Sequence, residues 1–231
     1  MDFVLSSLSN FQHTIIQFFT DQTIVFPVLY SLLFLLYLTE YTKKIPTSEG
    51  EMYEVSLKET LINIALLLLT WLFVYGSYHV TSIPIQFVFP VLLPILIIQS
   101  FIDLKYMELA DEWNLLLGFS VLFFLFTFYP QSWIFDGAIA TVILFVVFFA
   151  AWFFTDGLGL GDVKFIAAAG WLIGTWNILS YLLIALSTAV LFAFVILIQN
   201  FIKTKKWTMK EHFPFGPHLI LAFIIQLTYT L

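Results

Sequence analysis

Two aspartates stand where a membrane would make a carboxylate costly. Asp103 closes an apolar run in Ile102-Asp103-Leu104-Lys105, and Asp162 opens another in Gly157-Leu158-Gly159-Leu160-Gly161-Asp162-Val163-Lys164. An ionisable group in or beside a membrane span is a functional-site hypothesis by default. Two carboxyl groups held together can activate a water for attack on a peptide bond. Like charges that close resist ionising together, so the pair holds one proton and offers one base and one acid. Asp162 is expected at a helix start, where the dipole favours negative charge, and Asp103 near a helix end, where it does not. That reasoning expects an ionised Asp162 and a protonated Asp103, titrating jointly. Gly157, Gly159 and Gly161 permit a sharp turn and the close approach of another backbone, and such a stretch can receive an extended peptide. Taken singly, Asp162 reads equally well as a helix N-cap and Asp103 as an interfacial residue. Their pairing at a common depth points to catalysis.

What must position them is a set of membrane helices. Of the 231 residues, 61% are hydrophobic and only 10% charged, against about half and about a quarter in soluble domains. Spans need about 20 mostly apolar residues. Eight segments qualify, roughly 23–39, 59–77, 82–102, 114–129, 134–155, 163–175, 177–202 and 213–231. The sixth is short and is expected to be tilted or enclosed by its neighbours. The fold class expected is all-α: a single polytopic membrane domain over 1–231, with a cytoplasmic loop at about 40–58.

Lysines fix the orientation, because they favour the cytoplasmic side. With eight spans and the N-terminus outside, Lys43, Lys44, Lys58, Lys105, Lys164, Lys203, Lys205, Lys206 and Lys210 all face the cytoplasm. The opposite loops, 78–81 and 130–133, contain none. Dropping 163–175 as a crossing would strand Lys203 to Lys210 outside. Tyr78, Tyr129 and Trp133 fall at membrane edges, as interfacial aromatics do. Residues 1–22 carry Asp2 and Asp21 but no lysine, unlike a secretory signal, so the first apolar segment is expected to remain.

Composition also excludes chemistry. There is no cysteine, hence no disulfide, thiolate-bound zinc or thiol nucleophile. His13, His79, His212 and His218 are scattered, so no metal cluster is expected. The absence of arginine argues against bidentate recognition of nucleic acid or phosphate.

The residues around both aspartates resemble the type IV prepilin peptidase family of membrane aspartic proteases, whose signature is Gly-x-Gly-Asp followed by a valine-lysine or similar pair. Gly159-Leu160-Gly161-Asp162-Val163-Lys164 matches it, and the small run Ala167-Ala168-Ala169-Gly170 follows. The family's other aspartate is typically followed by a basic residue, an Ile-Pro step and Asp or Asn. Here Asp103-Leu104-Lys105 is followed by Leu109-Ala110-Asp111, without the proline. Pro214-Phe215-Gly216-Pro217 resembles the family's entry to its last helix, reads also as a proline-started helix, and is given no catalytic role. The resemblance covers roughly 95–231.

The resemblance implies catalytic Asp103 and Asp162, with Gly159, Gly161 and Lys164 as motif residues at the substrate loop and no cofactor. It implies cleavage of the basic leader of a prepilin or pseudopilin at the cytoplasmic face of a bacterial plasma membrane. Glu108, Asp111, Glu112 and Asp156 could attract that leader or be solvated loop residues, and Asp136, on the outer side, is excluded from catalysis. Many members also methylate the new N-terminus, using a Gly-Ser-Phe stretch, an Arg-x-Pro step and often Cys-x-x-Cys pairs. None of these is present, and Tyr41-Thr42-Lys43-Lys44-Ile45-Pro46 is at best a remnant, so peptidase activity without methylation is expected. Glu59 resembles an acidic residue opening the family's second helix, and capping explains it equally. Two alternatives stay open: a presenilin-like intramembrane protease, and a transporter or structural membrane protein. Ile102-Asp103 at the edge fits the first poorly, and the second would be expected to place carboxylates nearer the midplane.

Overall fold

A backbone that crosses lipid must satisfy its own polar groups, which leaves helices for a chain of this composition. The computed structural model describes residues 22–47, 50–76, 85–155, 158–204 and 214–230. Their regular structure is helical, apart from an isolated bridge between Pro46 and Met52. The helices are α1 (Gln22–Thr42), α2 (Leu57–Gly76), α3 (Ile85–Tyr106), α4 (Asp111–Phe128), α5 (Gln131–Phe154), α6 (Leu160–Ile173), α7 (Ile178–Thr204) and α8 (Gly216–Thr230), with a 3-10 turn at Thr175–Asn177. Every apolar run read from the sequence contributes one helix. Among the described residues, four helices are long and apolar enough to cross a membrane: Val88–Tyr106, Asp111–Phe128, Gln131–Phe154 and Thr175–Gln199.

The chain falls into two compact units, Met1–Ile98 with Leu231, and Gln99–Thr230. In the first, α1 packs on α2, and the Trp71 indole N–H donates to Ser31 Oγ at 3.0 Å. Glu59 and Ser56 cap α2 reciprocally: Ser56 N–H donates to Glu59 Oε2 at 2.7 Å, and Glu59 N–H to Ser56 Oγ at 3.3 Å. This is a capping box.

The second unit is organised around α6, which packs on α4, α5, α7 and α8. Its 14 residues span about 21 Å at 1.5 Å per residue, short of a hydrocarbon layer about 30 Å thick. The enclosure explains how so short a helix persists: Val163, Phe165, Ile166 and Ala169 are completely buried. Small residues let the helices close up, as in membrane bundles. At Gly170 a Cβ would lie 2.8 Å from Thr141 Cα, so only glycine permits that α5–α6 contact. The outer faces are apolar instead of polar. Phe135, Ile139, Val142, Val146 and Phe153 are exposed on α5, and Leu179, Leu183, Val190 and Phe194 on α7. Such faces suit lipid.

Candidate active site

Both aspartates belong to the second unit and both are buried, Asp103 to 5% and Asp162 to 7% exposure. Asp103 lies in the last turn of α3, and Asp162 in the first turn of α6. They are near enough for the charge on Asp162 to act on Asp103.

Each carboxylate is fastened by a backbone N–H at a helix start. Gly159 N–H donates to Asp162 Oδ2 at 3.1 Å, and Gly216 N–H, at the start of α8, donates to Asp103 Oδ2 at 3.0 Å. The second bond adds a feature that the helix ends alone did not show. Asp103 does sit at the negative end of α3, but it also sits at the positive end of α8. The dipole difference that singled out Asp162 as the base is thereby offset. What distinguishes Asp162 is its other oxygen: Oδ1 is buried and finds no hydrogen-bond partner among the described residues.

Two glycines admit this arrangement. A Cβ at Gly216 would stand 2.8 Å from Asp103 Oδ2 and 3.2 Å from Leu109 Cδ1. A Cβ at Gly161 would stand 2.6 Å from the Leu109 carbonyl oxygen and 2.9 Å from its Cβ. Leu109, in the α3–α4 connection, therefore lies against Gly216, which holds Asp103, and against Gly161, the residue before Asp162. Gly161 lies inside the first turn of α6, not in the loop before it, and the backbone that approaches it is the chain's own. That connection leaves α3 through Met107 at φ 55°, a left-handed conformation uncommon outside glycine.

Asn114 ties these pieces together, and the sequence reading passed it over. Its amide Nδ2 donates to Gly161 O at 3.2 Å, with a longer contact of 3.5 Å to Leu109 O. Its Oδ1 accepts from Gln99 Nε2 at 3.0 Å. Gln99 stands one helical turn before Asp103, so the bridge links the helix of one aspartate to the backbone beside the other. Two buried amides in apolar helices were the available signal, since polar groups there hydrogen-bond between helices.

The remaining residues have other partners. Lys164 reaches both oxygens of Asp111 at 2.6 Å, which compensates one of the carboxylates considered for attracting a basic leader. Glu112 is exposed on the same helix start. Asp156 and Gly157 lie outside the described residues, as do His13, His79, His212, Tyr78, Lys205, Lys206 and Lys210. Asp136 accepts from Thr175 N at 2.9 Å and from the Thr175 hydroxyl, so it caps the turn beyond α6. Among the described residues, no group of three His, Cys, Asp or Glu could hold a metal ion.

Comparison with protein families matches residues 90–198 to the type IV leader peptidase family. The matched stretch contains both aspartates, the Gly-x-Gly-Asp motif, Gln99 and Asn114. It ends before Gly216. No curated protein and no solved structure matches the chain.

Proposed function

We propose that this chain, which over residues 90–198 belongs to the type IV leader peptidase family, is a membrane aspartic endopeptidase that removes the basic leader of type IV prepilins or pseudopilins. Cleavage occurs at the cytoplasmic face of the bacterial plasma membrane, with eight spans and an outside N-terminus. The observation that carries this reading is the pair itself: two buried carboxyls from distant helices, within electrostatic reach, each fastened by one oxygen to a helix-start N–H.

That mounting leaves chemistry to the other oxygens. Two carboxyl groups in one dry site share a proton. The ionised member takes a proton from water as the oxygen attacks the scissile carbonyl. The protonated member gives its proton to the carbonyl oxygen, forming a neutral tetrahedral diol. On collapse, the C–N bond breaks, the leaving amine receives the proton first taken from water, and the diol returns its proton to the pair. Glu112 is an exposed acidic residue at the start of α4 that could attract a basic leader, whereas Asp111 is engaged by Lys164. The absence of the family's methylation motifs supports peptidase activity alone. A labelled methyl group on the processed pilin would contradict that part.

Co-expression with candidate prepilins tests the reading. Mass spectrometry of the substrate should show leader removal with the wild-type chain and none with Asp103→Asn or Asp162→Asn, both inserted at wild-type level. Processing by both variants at the wild-type rate would overturn it.

A further inference from the structure

Helices α5 and α7 both lie against α6 but make no extensive contact with each other. Between them runs a groove of about 490 Å³, within the range of about 300–1,000 Å³ typical of ligand sites. Val147, Ala151 and Thr155 line one wall, spaced i, i+4, i+8 and so sharing one helical face. Ala185 and Leu186 line the other. Val147 and Leu186 are 51% and 52% exposed, whereas Ala185 is completely buried and forms the floor. Among the described residues, no charged side chain borders the groove.

Its position relative to the aspartates is specific. Leu158 and Phe215 complete the lining. Leu158 immediately precedes Gly159, whose N–H holds Asp162, and Phe215 immediately precedes Gly216, whose N–H holds Asp103. The groove is therefore lined, at Leu158 and Phe215, by the residues next to both mounts.

We infer that this groove seats the apolar helix of the protein substrate, the stretch that follows its leader, and so brings the junction to Asp103 and Asp162. The inference rests on the peptidase reading. The apolar side chains described along the groove suit an apolar helix better than a basic leader. Val147, Ala151 and Thr155 on one wall, and Leu182, Ala185 and Leu186 on the other, sit at helical spacing, the complement of a third helix laid in the groove. Association in lipid depends on close packing at small residues, which Ala151 and Ala185 supply. A second groove of about 410 Å³ runs along α4 and α6. It is bordered by the Asp111–Lys164 pair, and neither Leu158 nor Phe215 lines it.

Photo-crosslinking in the full-length Asp162→Asn chain, which leaves substrate uncut, decides between them. A benzophenone side chain replacing Leu186 should crosslink to the substrate's apolar helix at least about fivefold more than the same group replacing Phe119 in the second groove. Equal or stronger capture from position 119, or capture of lipid alone from position 186, would overturn the inference. As a second variant, Ala185→Phe should lower kcat/KM for a helix-bearing prepilin at least about tenfold, mainly through KM. Val146→Phe on the lipid-facing surface should leave it within about twofold. Equal effects of the two variants would contradict the groove. Wild-type cleavage measured in parallel separates the two failures. If the wild type cleaves but crosslinks elsewhere, the groove alone is wrong. If it cleaves no prepilin, the peptidase reading fails and the groove falls with it.

Discussion

Asp103 is held in place by a glycine 113 residues downstream. The Gly216 N–H reaches its carboxylate only because no side chain stands between them. A Gly216→Ala change should cost about 1–3 kcal/mol, as overpacked sites do. Expressed at the carboxylate, that strain corresponds to a loss of turnover from about fivefold to about 150-fold. Cleavage rate and thermal stability measured on the same purified variant check this. An unchanged rate would show that the Gly216 contact does not position Asp103. Asp162 was legible in the sequence because its glycines and its helix start are local. The Gly216 bond was not, because it arises only when α8 meets the end of α3. The Pro214-Phe215-Gly216-Pro217 block was visible as a motif, yet nothing in it named its partner. Gln99 and Asn114 were visible too, as amides in apolar runs, but their mutual bond needs the tertiary fold.

At the scale of elements, the apolar runs located the helices, and each proposed segment contains one. The depth of α6 in its unit could not be read that way. Its shortness marked it as unusual, and its enclosure by four other helices accounts for it. The α3–α4 connection lacks the proline of the motif that it resembles. Ala110 stands where the family typically has proline, and its φ of −63° is the angle a proline ring fixes. Ala110→Pro should therefore be accommodated and should stabilise by about 0.4–1 kcal/mol through the unfolded chain. A rise in the thermal midpoint of the detergent-solubilised protein checks it, and a fall would show that the connection needs a conformation proline denies.

For the molecule as a whole, membrane character follows from composition and from the apolar outer faces of α5 and α7. The eight-span orientation rests on the sorting of lysines. Because the chain has no cysteine, single cysteines can report sidedness without background. An impermeant maleimide applied to intact cells should label Ser132→Cys and spare Lys43→Cys and Lys105→Cys, which should react only after lysis. Labelling of the lysine positions in intact cells would invert the proposed orientation and place the aspartates on the wrong face for a cytoplasmic leader.

Whether Asp103 and Asp162 form one acid–base unit is tested most directly by comparing cleavage rates of Asp103→Asn, Asp162→Asn and the double variant at matched membrane levels. Residues that act as a unit are strongly non-additive. Each single change should lower the rate by roughly a thousandfold or more, to the same floor as the double variant. A single variant that keeps a tenth of the wild-type rate, or a double variant whose loss is the product of the two single losses, would contradict a shared site.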